Sequence, residues 1–106
     1  MDVSIVIVNW NTAHHLRAAL TSCYRHCGEI AIETIVVDNG SSDGSVEMVR
    51  GEFPKAVVLA NEGNLGYVRA GNQGIAAATG RYVLMLNSDA ELTQGCLQEL
   101  VRLMDA

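Results

Sequence analysis

The chain has 106 residues, of which 49% are hydrophobic, and its formal net charge at pH 7 is −5. These values predict one globular domain with a single core, and they disfavour a nucleic-acid partner held by a basic surface. No apolar run approaches the roughly 20 residues that span a bilayer, and the apolar stretch near the N-terminus is too short for a signal peptide. We therefore expect a cytoplasmic domain without a transmembrane segment.

Four apolar runs in the sequence predict the strands of an open, mainly parallel sheet. They occupy residues 4–8, 32–37, 56–59 and 82–86, and the first is continuously apolar and β-branched over residues 5–8. Such a run is typical of a strand that is covered on both faces. Helical periodicity follows each run, so we predict the order β-α-β-α-β-α-β-α, with helices on both faces of the sheet.

Capping residues mark the first two predicted helices. Asn11 or Thr12 caps the first helix, and Gly28 ends it. Asp43 caps the second helix, which a Phe-Pro pair stops before the third strand. Because apolar residues at offsets of zero, three, four and seven share a helix face, the buried stripe of the first helix is predicted to be Leu16, Ala19, Leu20 and Cys23.

The third helix is predicted over about residues 67–79, in a stretch rich in glycine and asparagine. Each interior glycine costs a helix about 1 kcal/mol relative to alanine, so Gly71 and Gly74 need a reason. For Gly74, close packing on the sheet and close approach of a ligand are equal alternatives. For Gly63 and Gly66, which lie in the preceding loop, we favour the approach of a ligand.

The end of the third helix and the whole fourth helix complete the predicted order. Gly80 is the predicted C′ residue of the third helix, and the fourth helix begins after Thr93. Because no strand is predicted after the fourth, at least one edge of the sheet lacks a partner, and we expect either a longer chain or a homo-oligomer. The fourth helix is predicted to bury Leu97, Leu100, Val101 and Met104.

Each predicted strand leads into a polar segment that is able to contact a ligand. These segments are residues 9–11, 38–43, 60–64 and 87–89. In an open parallel sheet, ligands bind outside the carboxyl ends of the strands, which is where these segments fall. The acidic tip that follows the last strand, at Asp89, predicts a metal site.

Familiar phosphate-binding signatures are absent from the sequence. A dinucleotide-binding fold needs a glycine-rich turn directly after the first strand, but residues 9–12 are Asn-Trp-Asn-Thr. No Gly-Lys-Ser or Gly-Lys-Thr occurs, which excludes a Walker phosphate loop. A phosphoacceptor receiver domain is expected to cluster carboxylates at the ends of the first and third strands, and it is disfavoured because the first strand ends in asparagines.

Four segments, residues 3–11, 35–45, 61–74 and 82–89, form a combined pattern. In their order and spacing they resemble the N-terminal half of a family-2 glycosyltransferase of the GT-A fold. The asparagine-glycine segment and the sequence Leu-Asn-Ser-Asp before Ala90 are most similar to the branch that contains rhamnosyltransferases and related cell-surface polysaccharide enzymes. The resemblance implies that residues 1–106 form one truncated nucleotide-sugar-binding domain, an α/β Rossmann-like GT-A three-layer sandwich with sheet order 3-2-1-4.

The resemblance also implies the donor, a nucleoside-diphosphate sugar linked to UDP, dTDP or GDP. The end of the first strand, at Val8, Asn9 and Asn11, is then expected to line the base pocket. Asp38 is expected to accept a hydrogen bond from the imide N–H of uracil or thymine, and turn capping is its alternative role. Further donor contacts are expected from Asn64, Gly66, Asn72, Asn87 and Ser88.

By the same resemblance, Asp89 is expected to bind a divalent cation, Mg²⁺ or Mn²⁺. When a sugar leaves its diphosphate, two negative charges remain on the departing group, and a hard cation on oxygen ligands neutralises them. The acidic pair of the family occurs here as Asn87-x-Asp89, in which an amide replaces the first carboxylate. The alternative for Asp89 is a turn or N-cap role.

Other residues with chemical potential have plainer interpretations. Trp10 either stacks on the base or covers the rim of the core. His14 and His15 begin the first helix, where the helix dipole disfavours cations, so we expect them to be neutral and exposed rather than catalytic. The three cysteines are expected to be reduced thiols, and a metal held by Cys23 and Cys27 is disfavoured because no second ligand pair follows.

The implied reaction is inverting transfer of the sugar to an acceptor hydroxyl in cell-surface polysaccharide or glycolipid synthesis. In the resembling enzymes a carboxylate base lies well downstream of the metal motif, and no residue here is a good candidate for it. We therefore expect this chain alone to bind the donor and to be nearly inactive, with the full-length protein cytoplasmic or peripheral at the inner membrane surface. The alternatives are a non-catalytic nucleotide-binding or assembly module of the same fold and a metal-binding domain of receiver type.

Overall fold

Strands and helices alternate along the chain, as the sequence predicts. A computed structural model describes all 106 residues. None of its helices combines the length and the apolar character that a bilayer crossing requires. The elements are β1 (Val3–Asn9), α1 (Ala13–His26), β2 (Ile32–Asp38), α2 (Ser45–Glu52), β3 (Val57–Ala60), α3 (Tyr67–Ala77), β4 (Tyr82–Met85) and α4 (Cys96–Asp105).

The four strands form one parallel sheet in the order β3-β2-β1-β4, which confirms the order 3-2-1-4. β1 lies between β2 and β4. Its last residue, Asn9, pairs with Asp38 at the end of β2, and Asp38 pairs in turn with Ala60 at the end of β3. The carboxyl ends of these three strands therefore meet at one edge of the sheet.

Helices cover both faces of the sheet, so the molecule has three layers. On one face, Ile5 and Ile7 of β1 belong to the larger core cluster, together with residues of α1, α2 and α4. On the other face, Val6 of β1 belongs to a smaller cluster with Ala70 of α3. The predicted stripe of α1 is fully buried, and it consists of Leu16, Ala19, Leu20 and Cys23.

Close packing explains the two glycines inside α3. A Cβ atom on Gly74 would lie 2.3 Å from Cγ1 of Val6 and 3.2 Å from Cγ2 of Val37. A Cβ atom on Gly71 would lie 3.3 Å from Cε of Met85. At residue 74, α3 thus lies so close to the sheet that only glycine fits. This confirms close packing, one of the two alternatives for Gly74.

α3 ends two residues earlier than the sequence predicts. Ala78 has extended backbone angles (φ −69°, ψ 138°), and both the backbone N–H and the hydroxyl of Thr79 donate to Oε2 of Glu33, at 2.6 and 2.7 Å. The prediction of a left-handed C′ glycine at Gly80 is wrong, because its φ is not positive. Its lack of a side chain is required by packing, since a Cβ atom there would lie 2.6 Å from the backbone nitrogen of Ser4.

The predicted apolar face of α4 is only partly buried. Leu97 is 1% exposed, but Leu100 is 39% exposed and Met104 is 62% exposed. These side chains, with Val101 and residues of β4, line an open apolar groove of about 200 Å³. The prediction is wrong for Leu100 and Met104 because α4 lies beside an edge strand, which gives their side chains a wall on one side only.

Candidate functional site

The polar segments that follow β1 and β2 are joined at the carboxyl edge of the sheet by backbone hydrogen bonds. The N–H of Asn39 donates to the carbonyl oxygen of Asn9 at 2.9 Å, and the N–H of Asn61 donates to that of Asp38 at 2.8 Å. The N–H of Leu86 donates to the carbonyl oxygen of Val6 at 2.9 Å and so continues the pairing of β4 with β1. The predicted ligand-contacting segments therefore begin from a rigid, shared edge.

Behind this edge lies a buried cluster formed by Asn9, Asp38 and Ser41. Asn9 is fully buried and Asp38 is 1% exposed. Oδ1 of Asp38 accepts hydrogen bonds from Nδ2 of Asn9 at 2.9 Å and from the Ser41 hydroxyl at 2.7 Å. Oδ2 of Asp38 accepts the backbone N–H of Ser41 at 2.8 Å. The carboxylate therefore closes the turn that follows β2 and binds it to β1.

These contacts give Asp38 a turn-capping role in the structure, and its expected hydrogen bond to a base stays a prediction. Its three hydrogen-bond donors all belong to the protein, and since an ionised carboxylate has about four acceptor positions, one position on Oδ2 is left for a further donor. The turn-capping alternative is confirmed by the bond from the Ser41 N–H. Asn9 is likewise turned inward, because its Oδ1 accepts the Thr12 hydroxyl at 2.6 Å.

Asn11 connects the loop after β1 to the loop after β2. It is the one residue other than glycine with a positive φ, 51°, a conformation that asparagine tolerates better than most residues. Its Oδ1 accepts the N–H of Ser42 at 2.8 Å, and its own N–H donates to the Ser41 hydroxyl at 2.9 Å. Asn11 remains exposed, so it is able both to shape the loop and to meet a ligand.

Asp43 caps two helices, whereas the sequence predicts only one. Its Oδ2 accepts the N–H of Ala13, which begins α1, at 2.9 Å, and its Oδ1 accepts the N–H of Ser45, which begins α2, at 3.1 Å. Thr12, one of the two residues predicted to cap α1, is its N-cap residue, but neither Thr12 nor Asn11 makes a side-chain hydrogen bond to the helix. Desolvation raises the pKa of Asp43, but the bonds from Ser45 and Ala13 outweigh it and leave the pKa below its ordinary value.

The loop before α3 is attached to the sheet edge through Asn39, a residue that the sequence prediction leaves out. Nδ2 of Asn39 donates to the Gly66 carbonyl oxygen at 3.2 Å, and its Oδ1 accepts from Nδ2 of Asn61 at 3.1 Å. Asn61 and Gln73 exchange two further hydrogen bonds, of 2.8 and 3.0 Å. Gly66 has φ 84° and ψ 165°, so its backbone conformation alone accounts for a glycine.

A polar cleft of about 450 Å³ lies at this same edge. Oγ1 of Thr12 lies 3.2 Å from Oγ of Ser88, a hydrogen bond between two hydroxyls in which Ser88 is the donor because the Thr12 proton is used on Asn9, and this bond links the β1–α1 loop to the segment after β4. Among the predicted site residues, the cleft brings together Val8, Asn87, Ser88 and Asp89. All of its lining residues are Val8, Thr12, His15, Tyr67, Asn87, Ser88 and Asp89.

Six predicted site residues do not line this cleft. Two of them, Asn9 and Asp38, are buried, and the other four lie exposed on neighbouring loops or on α3. Asn64 fixes its own loop, because its Oδ1 accepts the N–H of Gly66 at 2.8 Å. The six are Asn9, Asn11, Asp38, Asn64, Gly66 and Asn72.

Two lining residues, Thr12 and His15, escape the sequence-based site prediction, although the sequence contains a signal for them. Thr12 and His15 are three residues apart at the start of α1, so they lie on one side of the helix. His15 is exposed, as predicted, yet it faces the cleft. Tyr67, at the start of α3, is 52% exposed, and it ends the 63–67 loop that the family resemblance places against the ribose and diphosphate of the donor.

The cleft offers oxygen ligands to a cation. Asp89 is exposed, and the structure contains no group of three or more His, Cys, Asp and Glu side chains that would hold a metal. The donors around Asp89 are the amide of Asn87 and the hydroxyl of Ser88, and oxygen donors of this kind fit Mg²⁺ or Mn²⁺. With a single carboxylate, such a cation needs further ligands from water or from an anionic substrate.

A parallel sheet of order 3-2-1-4, covered by helices on both faces and carrying a polar cleft at its carboxyl edge, defines a Rossmann-like α/β protein of the GT-A fold. The family follows from the sequence as a whole. A model of glycosyl transferase family 2 matches residues 4–106, and the chain belongs to that family.

Similar proteins are longer than this chain. It is 31% identical over 106 residues to the succinoglycan biosynthesis protein ExoO of Rhizobium meliloti (strain 1021), with 99% of this chain and 30% of that protein covered. It is 33% identical over 92 residues to the uncharacterized glycosyltransferase YibD of Escherichia coli (strain K12), with 85% and 26% covered. The chain thus spans less than a third of the length of these relatives.

Solved structures show the same fold. The chain superposes with a TM-score of 0.87 on S. aureus TarS 1-349 in complex with UDP-GlcNAc, at 23% identity, with 99% of this chain and 31% of that one covered. The TM-score is also 0.87 for the mannosyltransferase PcManGT of Pyrobaculum calidifontis in complex with GDP-Man and Mn²⁺, at 24% identity, with 98% and 32% covered.

Proposed function

We propose that this chain binds the donor of a metal-assisted, inverting glycosyl transfer, a nucleoside-diphosphate sugar. The observation that carries the proposal is the convergence of Val8, Asn87, Ser88 and Asp89 on one polar cleft at the carboxyl edge of a GT-A sheet. Two relatives of this fold support it, because TarS is in complex with UDP-GlcNAc and PcManGT with GDP-Man and Mn²⁺.

Within this proposal, Asp89 binds the cation, Mg²⁺ or Mn²⁺, and the diphosphate lies beside it. A divalent cation at this position neutralises negative charge on the departing diphosphate. Asn87 and Ser88 contribute oxygen atoms or contact the ribose. Asp38 and Asn9 act from behind, because their buried hydrogen bonds hold the loop on which Asn11 reaches the base.

The exposed loop before α3 forms the other side of the donor site. Asn64, Gly66 and Asn72 are exposed, and the loop is attached to the sheet edge through Asn39. We assign these residues to the ribose and the diphosphate. The base is that of UDP, dTDP or GDP, and titration with each nucleotide identifies which of the three binds.

The acceptor in this proposal is a hydroxyl group of a growing cell-surface polysaccharide or glycolipid. The name of ExoO, a succinoglycan biosynthesis protein, supports this class. The cleft holds no carboxylate apart from Asp89, so this chain has no candidate for the base that activates the acceptor. We therefore expect it to bind the donor and to transfer little or no sugar by itself. The same observation makes a non-catalytic nucleotide-binding module the second candidate function.

Thermal melting with UDP, dTDP and GDP, each with and without Mn²⁺, tests the proposal. One diphosphate is expected to raise the Tm of the wild-type chain only when Mn²⁺ is present, since a ligand that binds the native state alone stabilises it. Asp89→Ala is expected to abolish this rise. The matched control is Glu91→Ala, because Glu91 is exposed, two residues away, and outside the cleft.

Each contrary outcome points to another function. Stabilisation by a nucleotide that is indifferent to Mn²⁺ and to Asp89→Ala would favour the non-catalytic module. Stabilisation by Mg²⁺ alone or by a phosphoryl analogue, with no effect of nucleotides, would favour a receiver-type domain.

A further inference from the structure

His15 lies in the first turn of α1 and lines the same cleft as Asp89. The adjacent His14 is equally exposed but is not among the lining residues, and the two rings are 5.7 Å apart, edge to face. Of the seven lining side chains, His15 is the one able to carry positive charge, and Asp89 is the one acidic group. The cleft thus pairs a single carboxylate with a single imidazole.

An anionic diphosphate needs positive partners in this cleft. The chain has a formal net charge of −5, so its overall field repels such a ligand. At the positive end of α1, the N–H of Ala13 already donates to the Asp43 carboxylate, which partly neutralises the helix dipole there. Apart from a cation on Asp89, the imidazole of His15 is the one lining side chain that is able to carry positive charge, and its ring offers an N–H donor to a diphosphate in either protonation state.

We propose that His15 binds the diphosphate directly, by donating a hydrogen bond from its imidazole ring to a phosphate oxygen. Hydrogen bonds in which one partner is ionised are about twice as strong as neutral ones. The helix positions the ring, because Thr12, on the same side of α1, is bonded to Ser88 next to Asp89. This inference rests on the proposed function and extends it to a residue of α1.

Isothermal titration of His15→Ala and His14→Ala with nucleotide tests this role. The probes are the nucleoside diphosphate that stabilises the wild-type chain and the corresponding nucleoside, both at a fixed Mn²⁺ concentration. His15→Ala is expected to weaken diphosphate binding about tenfold, which corresponds to about 1.4 kcal/mol, and to leave nucleoside binding unchanged. His14→Ala is the matched control and is expected to bind both probes as the wild type does.

Three outcomes would overturn the assignment, and they are distinguishable. Unchanged diphosphate affinity in His15→Ala, with normal wild-type binding, refutes the role of His15 and leaves the proposed function intact. A lower affinity of His15→Ala for Mn²⁺ in the absence of nucleotide shows that the residue acts through the cation and refutes direct contact. No binding of any nucleotide by the wild-type chain refutes the proposed function and this role with it.

Discussion

Two aspartates at strand ends have opposite environments. Asp38 is 1% exposed, and both of its carboxylate oxygens accept hydrogen bonds from the protein. Asp89 is exposed and accepts no side-chain hydrogen bond, although it too follows a strand. A carboxylate whose donors are all internal stabilises the fold, whereas one without internal donors is available to a ligand. In the sequence the two residues look alike, because what separates them is the contact of Asp38 with Asn9 at the end of another strand.

Replacing Asp38 is therefore expected to destabilise the fold. In Asp38→Ala the N–H and the hydroxyl of Ser41 lose their acceptor, and the buried amide of Asn9 keeps only its 3.3 Å bond to the Ser41 hydroxyl; a buried donor without a partner costs about 1 to 3 kcal/mol. We expect urea denaturation to show a loss of about 2 to 3 kcal/mol in this variant. Asp89→Ala, at an exposed position, is the control and should stay within about 0.5 kcal/mol of the wild type. Equal stabilities of the two variants would contradict the structural role of Asp38.

The secondary-structure elements were predictable where the signal is local. Strand runs and the stripe of α1 depend on residue spacing, and both agree with the structure. The side-chain bond that caps α1 escaped prediction because Asp43 lies 30 residues from Ala13, and the true end of α3 depends on Glu33, which lies 46 residues from Thr79. The open face of α4 depends on which strands flank β4, a property that periodicity does not contain.

A test at the level of elements uses the two caps made by Asp43. Loss of a helix cap typically costs about 1 kcal/mol, so Asp43→Ala is expected to lose about 1 to 2 kcal/mol at pH 7. Because the pKa of Asp43 is lowered in the fold, this contribution is present above its ordinary pKa of 3.8 and is lost as the pH falls through the lowered value. The measurement is urea denaturation at pH 7 and near pH 3, with Glu62→Ala as the exposed control. A difference that persists undiminished at low pH would contradict this role of the carboxylate.

At the scale of the whole molecule, the two edges of the sheet have different tasks. The carboxyl edge carries the cleft, while at the amino edge Glu33 joins three segments of the chain. Its Oε2 accepts the Ser4 hydroxyl at 2.5 Å and both donors of Thr79, and the Ser4 hydroxyl accepts the N–H of Gly80 at 2.8 Å. The sheet order was predictable only through the family resemblance, because hydrogen bonds between residues far apart in the chain leave no periodic pattern in the sequence. Stability and ligand binding are therefore expected to be separable by mutation.

Glu33→Gln tests that separation. Desolvation raises the pKa of Glu33. The hydrogen bonds from Ser4 and Thr79 lower it by a larger amount, so the net pKa lies below its ordinary value of 4.5. A carboxylate with a lowered pKa stabilises the fold above that ordinary value, and the contribution disappears as the pH falls through the lowered one. The variant is expected to lose about 1 kcal/mol at pH 7, since the group is partly exposed, and this difference from the wild type is expected to be smaller near pH 3. The affinity for nucleotide should stay unchanged, because Glu33 lies near the start of β2, at the edge of the sheet opposite the cleft.

Urea denaturation at both pH values measures the stability of Glu33→Gln, and titration with the diphosphate measures its nucleotide affinity. The exposed Glu29→Gln is the control. A stability loss that is the same at both pH values, or a fall in nucleotide affinity, would show that the two edges are coupled.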